Sequence, residues 1–318
     1  MDFTGLIDLA AARTGGRAVS ANDEFFAPKS NLLKPGKALW REGKYTVRGK
    51  WMDGWETRRR RTPGFDWCVV KLGLRGVVRG VNIDTAYFTG NFPSHAALEA
   101  RDGAGPWREL LPKKELKGGS DNLFEISDPE PITHVRLNIF PDGGVARLRV
   151  YGDVVPDWSG RGKKALVDLA AVQNGGLPLL SSDRYFSHPQ NLIMPGRAKN
   201  MGDGWETKRR RGPGCDWTIL KLGAAGTLKK IELDTNHFKG NYPDSCMIEG
   251  VHMPAASAQV LADEFVPWVT ILPQTKLSAH KRHFFQKQLV AHGPVTHARL
   301  NIYPDGGVSR LRLWGTCA

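Results

Sequence analysis

Along most of the chain, apolar side chains fall on alternate positions, the spacing of strands with one face against a core. Val135, Leu137 and Ile139 alternate with His134, Arg136 and Asn138. Pro141–Gly144 follows as a tight turn, with glycine supplying positive φ. Leu148 and Val150 then alternate with Arg147 and Arg149, as in the returning strand of a hairpin. The same pattern recurs at Ala298, Leu300, Ile302, Leu311 and Leu313. Trp67–Leu72 and Val77–Asp84 are further predicted strands, with Trp217–Leu222 and Leu228–Asp234 as counterparts. Only Leu6–Arg13 and Leu166–Val172 carry a spacing that allows a helix. The pattern predicts an all-β protein of antiparallel jelly-roll sandwiches.

The strand pattern recurs because the sequence itself does. DGWETRRRRTPGFDWCVVKLG from Asp53 returns as DGWETKRRRGPGCDWTILKLG from Asp203. THVRLNIFPDGGVARLRVYG from Thr133 returns as THARLNIYPDGGVSRLRLWG from Thr296. A tandem duplication follows, with residues 1–152 as the first repeat, 153–165 as a polar linker and 166–318 as the second. A stretch near Leu39–Arg48 belongs only to the first copy and one near Ala256–Glu264 only to the second, as surface insertions do. Aligned apolar positions exchange, Val69 with Ile219 and Val150 with Leu313, because a core asks only for volume and apolarity. Identical polar positions need a different reason, so the duplication filters for functional side chains.

Charge and cysteine usage narrow the class. The net charge is +13, yet the arginine run Arg58–Arg61 lies in a motif holding Asp53, Glu56 and Asp66, where acids oppose phosphate binding. A small anionic substrate held by arginine fits these charges better than nucleic acid. No run of about 18 apolar residues is present to span a membrane. The N-terminal MDFTGLIDLAAARTGG lacks the basic lead and apolar stretch of an export signal. Cys68 aligns with Thr218 and Cys215 with Phe65, so no cysteine partner is kept between the copies. A cytoplasmic protein is the expectation.

Three duplicated constellations can carry chemistry. In the DGWET block, Asp53, Glu56, Arg59, Arg60 and Arg61 recur as Asp203, Glu206, Arg209, Arg210 and Arg211. Carboxylates beside guanidiniums suit acid–base groups next to an anion clamp; a salt-bridged loop fixing its own shape suits them equally. Three consecutive arginines cannot all face one local acid, however. On the polar face of the final hairpin, Arg136 and Asn138 match Arg299 and Asn301, marking a pocket, an interface or cross-strand pairing. DTAYFTGNFP and DTNHFKGNYP place Asn91 and Asn241 in a turn at a strand end, with Tyr87 opposite His237. Only His237 of that pair titrates near neutrality when unperturbed, which marks the second copy if the copies divide their labour. No Walker loop, Rossmann fingerprint, GxSxG elbow or HExxH pair is present. No cofactor is called for, and metal dependence stays open.

Together these motifs resemble the allantoicase family: the LIDLAA opening, NLLKPG and NLIMPG, both DGWET blocks, both GN-x-P turns and both RLNI-x-PDGGV segments. The resemblance covers nearly the whole chain and implies tandem galactose-binding-like jelly rolls. It also implies hydrolysis of allantoate to ureidoglycolate and urea in purine-nitrogen salvage. On the duplicated polar positions, Glu56 or Glu206 with Asp53 or Asp203 are the expected acid–base groups, and His237 a further candidate. Arg59–Arg61 and Arg209–Arg211 are the expected clamp, and Asn91 and Asn241 orient substrate. The expected partners are the anionic substrate and further copies of the chain, with neither nucleic acid nor membrane. The rival of another class is a non-catalytic jelly-roll module that binds carbohydrate or an acidic ligand.

Overall fold

In the computed structural model, which describes residues 2–160, 162 and 165–318, the chain divides into two units that meet between Val155 and Pro156. Arg161, Lys163 and Lys164 of the expected linker lie outside the described residues. The first unit runs β1 (Ile7–Asp8), β2 (Arg17–Ala21), β3 (Tyr45–Thr46), β4 (Gly49–Lys50), β5 (Trp55–Glu56) and β6 (Asp66–Asp84). It continues with β7 (His95–Arg101), β8 (Arg108–Glu115), β9 (Leu123–Glu125), β10 (Ile132–Phe140), β11 (Gly144–Val145) and β12 (Arg147–Val154). The second unit repeats this plan, with Asp216–Asp234 in the place of β6.

The two strands predicted at Trp67–Leu72 and Val77–Asp84 are one strand of 19 residues, β6. Its first half pairs with β2 on one edge and β10 on the other. Its second half pairs with β12 and β9. The halves therefore belong to different layers, and the register shifts near Gly76, where β10 leaves and β12 joins. Side chains alternating inward from both layers, including Cys68, Val70, Leu98, Leu137, Ile139, Leu148 and Val150, are fully buried between them. Each large one adds about 1.5–3 kcal/mol of burial. This two-layered antiparallel jelly roll is present twice.

Two expectations are corrected. Leu6–Arg13 and Leu166–Val172 are not helices; each is a two-residue strand followed by a 3-10 turn. The Asp8 carboxylate accepts the amides of Ala10 and Val150, at 3.1 and 3.0 Å, which pins the segment against β12 in place of helical bonding. Nor do β10 and β12 form a hairpin. They flank different halves of β6, so Pro141–Gly144 is a crossover between layers. Arg147 and Arg149 consequently lie on a different layer from Arg136 and Asn138.

The crossover is fixed by glycine. Gly143 has φ 139°, and a methyl group added at Gly144 would lie 2.0 Å from the Phe88 ring. Phe88 is itself fully buried. Gly144→Ala is expected to destabilise the first unit by about 1–3 kcal/mol through overpacking. Chemical denaturation measures this, and an unchanged midpoint would refute the close fit.

Candidate active site

The DGWET block, the GN-x-P turn and the PDGG crossover come together in each unit. Trp55 is fully buried and its indole N–H donates to the Asp23 carbonyl at 2.8 Å; Trp205 does the same to Asp183 at 3.0 Å. With the tryptophan inward, the next residue of the strand points the other way, and Glu56 and Glu206 are left half-buried. Glu56 pairs in register with Gly144, and Glu206 with Gly307. The GN-x-P turn docks on the same glycines, since the Asn91 carbonyl accepts the Gly144 amide and the Asn241 carbonyl that of Gly307, each at 2.8 Å. Thr57 then exchanges hydrogen bonds with Gly143.

This scaffold brings an amide to each glutamate. Asn91 donates its side-chain N–H to Glu56 Oε1 at 2.7 Å, and Asn241 donates likewise to Glu206. Neither carboxylate has an ion pair among the described residues. Burial raises the pKa of both above the ordinary glutamate value, opposed only in part by the asparagine hydrogen bond.

The arginine block divides its work by position. Arg60 pairs with Asp66 at 3.0 Å and Arg210 with Asp216 at 2.6 Å. The backbone amides of the same arginines donate to Asp142 and Asp305 of the crossovers, at 2.8 and 2.9 Å. Arg58 pairs with Asp23 at 2.6 Å, and Lys208 lies 3.8 Å from Asp183. Arg59, Arg61, Arg209 and Arg211 are exposed and have no ion pair among the described residues. Arg209–Arg211 line a depression of about 390 Å³, together with Ser182, Asp183 and Asp216. Within the block, Arg60 and Arg210 thus shape the loop, while the arginines on either side of them stay exposed.

Other candidates are placed elsewhere. Asp53 is not available as an acid–base partner: its carboxylate is bound by Arg147 at 2.6 Å, Lys34 at 2.8 Å and the Leu39 amide at 3.0 Å. Burial alone would raise its pKa, but the Lys34 and Arg147 hydrogen bonds outweigh it and hold Asp53 below the ordinary carboxylate range. Asp203 is likewise taken by Arg310 at 3.0 Å and the Lys199 amide at 3.1 Å. His237 has φ 72°, its ring Nε2 lies 2.9 Å from the Ala198 carbonyl, and its amide donates to His280 at 2.8 Å. No hydrogen bond joins it to Glu206. Arg136 and Asn138 both bind one oxygen of Glu99, at 2.6 and 2.8 Å, and Arg136 stacks over Trp107. Arg299 and Asn301 repeat this on Glu249, with Arg299 over Trp268. These are cross-strand sheet-face clusters, one of the alternatives above, in which Asn138 Oδ1 is buried without a hydrogen-bond partner.

Sequence reasoning passed over Asp142 and Asp305, which hold the arginine loop, and Glu99 and Glu249, which hold the face clusters. Each pair is identical between the copies, so the duplication carried the signal. Asp142 was hidden by its place in a turn motif. No group of three or more His, Cys, Asp or Glu is placed to hold a metal among the described residues. No helix among them is long and apolar enough to cross a membrane.

A jelly roll present twice, each copy holding a half-buried glutamate bound by an asparagine amide, defines a tandem-repeat protein with one such site in each unit. The family model for the allantoicase repeat matches residues 7–155 and 167–318. The chain is 51% identical over 317 residues to probable allantoicase 1 of Burkholderia mallei, covering 98% of this chain and 94% of the relative. It is 50% identical over 320 residues to a probable allantoicase of Pseudomonas fluorescens, covering 98% and 97%. The crystal structure of allantoicase from Saccharomyces cerevisiae superposes with a TM-score of 0.83 at 36% identity, covering 97% of this chain and 92% of the yeast chain. The chain belongs to the allantoicase family.

Proposed function

We propose that the chain hydrolyses allantoate to ureidoglycolate and urea, with Glu56 and Glu206 moving the protons at the two loop-end sites. The observation that carries this is the duplicated glutamate–asparagine pair, without an ion pair among the described residues and with burial raising both glutamate pKa values. The protonated glutamate gives its proton to the leaving ureido nitrogen as the C–N bond breaks. The lone pair of the remaining ureido nitrogen supports the central carbon meanwhile. The carboxylate so formed takes a proton from water as the new C–O bond forms, which returns the glutamate to its starting state. One carboxyl group serves both steps, so Asp53 and Asp203 are not required.

Asn91 and Asn241 keep the glutamate aimed and offer their side-chain carbonyl to a ureido N–H. Arg59 and Arg61, with Arg209 and Arg211, hold the substrate carboxylate. A purely anion-binding module has no use for a half-buried glutamate held by an asparagine amide in each copy. The proposal includes a cytoplasmic setting, where thiols such as the buried Cys68 and Cys246 stay free, allantoin degradation as the physiological context, and association of the chain with itself.

Urea release from allantoate is the assay. Replacing Arg209 and Arg211 together with Ala, alongside Arg59 and Arg61, is expected to raise KM by about 10- to 100-fold. Lysine at these positions should restore binding only in part, because it lacks the planar fork. Allantoate binding without urea release would sink the catalytic reading; an unchanged KM in the arginine variants would sink the clamp.

A further inference from the structure

The two insertions, each present in one copy alone, differ in charge as well as in shape. The first, Leu39–Arg48, carries three basic residues and a single acid, and Lys37 and Lys50 flank it. β3 and β4 close it as a small hairpin, with Tyr45 70% and Val47 102% exposed. Lys44 sits over the Trp51 ring at 4.5 Å and Lys50 over Trp40 at 4.1 Å. Neither lysine has an ion pair among the described residues, so the arm is cationic and studded with apolar surface.

The second insertion has the opposite character. Residues 251–275 contain no Lys or Arg, in a chain whose net charge is +13. A short helix, Ala258–Leu261, is held down because Leu261 and Val266 pack with Ile219 and Val251 on the sheet. The turn that follows points the other way: Asp263, Glu264 and Phe265 are exposed, Phe265 by 84%. The Asp263 carboxylate accepts the Phe265 amide at 2.9 Å, which fixes the turn. Neither acid has an ion pair among the described residues.

We infer that these insertions are complementary docking surfaces through which two copies of the chain bind each other, the basic arm of one against the acidic turn of its partner. Opposite uncompensated charges and exposed aromatic and aliphatic tips sit on both members of the pair, and both members are on this chain. A twofold arrangement makes the contact twice, arm on turn and turn on arm. That doubling helps two small patches approach the roughly 800 Å² per partner of a standard interface. The inference does not depend on the catalytic reading, since none of these residues belongs to the proposed site.

Sedimentation velocity at low salt tests it on the full chain. The Lys44→Glu/Lys50→Glu variant and the Asp263→Lys/Glu264→Lys variant are each expected to associate about tenfold more weakly than the unaltered protein. An equimolar mixture of the two should associate again, because the reversed arm of one variant matches the reversed turn of the other, while the remaining native turn and native arm still match. Urea release per chain serves as the check on folding. Any of three results overturns the proposal: a monomeric parent chain, variants that associate like the parent, or a mixture no stronger than its components.

Discussion

Replacing Glu56 and Glu206 together with Gln lowers urea release from allantoate by an expected 10²–10⁴-fold, roughly the contribution of one positioned proton-transfer group. Glutamine keeps the shape and can still bond to Asn91 or Asn241, so the fold and KM should hold while kcat falls. Each single variant then measures its own unit's share. The pH profile provides a second readout. Burial raises both glutamate pKa values, so the acid form persists to higher pH than for a solvated glutamate. Activity should decline as pH rises through that raised value, and the decline should vanish from the residual activity of the variants. A double variant with parental kcat would remove these residues from the chemistry.

Arg147→Met should unfold the first unit more easily by up to about 3–5 kcal/mol, the cost of breaking a buried ion pair, offset in part because Lys34 stays on Asp53. The Arg147 and Asp53 side chains are each only 3% exposed, and Arg147 also donates to the Asp53 and Ala146 carbonyls, both at 2.7 Å. Adding Asp53→Asn should recover part of the loss, because the stranded carboxylate is then neutral. The pH dependence has a definite sign. The folded pKa of Asp53 is lowered, so its stabilisation is fully present above the unfolded-state value. It is lost as pH falls through the folded one. Urea denaturation of the parent and both variants at neutral pH measures this; a loss below about 1 kcal/mol for Arg147→Met would show the pair to be expendable.

The fold was legible because alternation survives in both copies and each copy checks the other. What alternation cannot report is continuity: Gly73 and Gly76 read as a break between strands, whereas β6 runs through them and turns from one layer to the next. The helical spacing of Leu6–Arg13 was real but lost to tertiary bonding, since Asp8 ties that segment to β12. The site was legible in part. Glu56, Asn91 and the exposed arginines stand out as polar identities, and the structure joins Asn91 to Glu56. Asp53 shares the same signal for another reason, because its partner Arg147 is remote in sequence and identity alone cannot separate a buried frame from a reacting group. Arg136 and Asn138 were selected by the same filter and turn out to satisfy Glu99.

The shared strand β6 sets a timetable for synthesis. Both of its halves wait for edges supplied late in the repeat, by β10 and finally by β12. The layer of β2, β7, β8 and β10 can close once β10 has emerged, but the other layer waits on the ribosome for β12, the unit's last strand. The first unit, complete by Val155, can finish its core while the second is still being translated. Duplication in tandem thus divides a long, non-local folding problem into two consecutive ones.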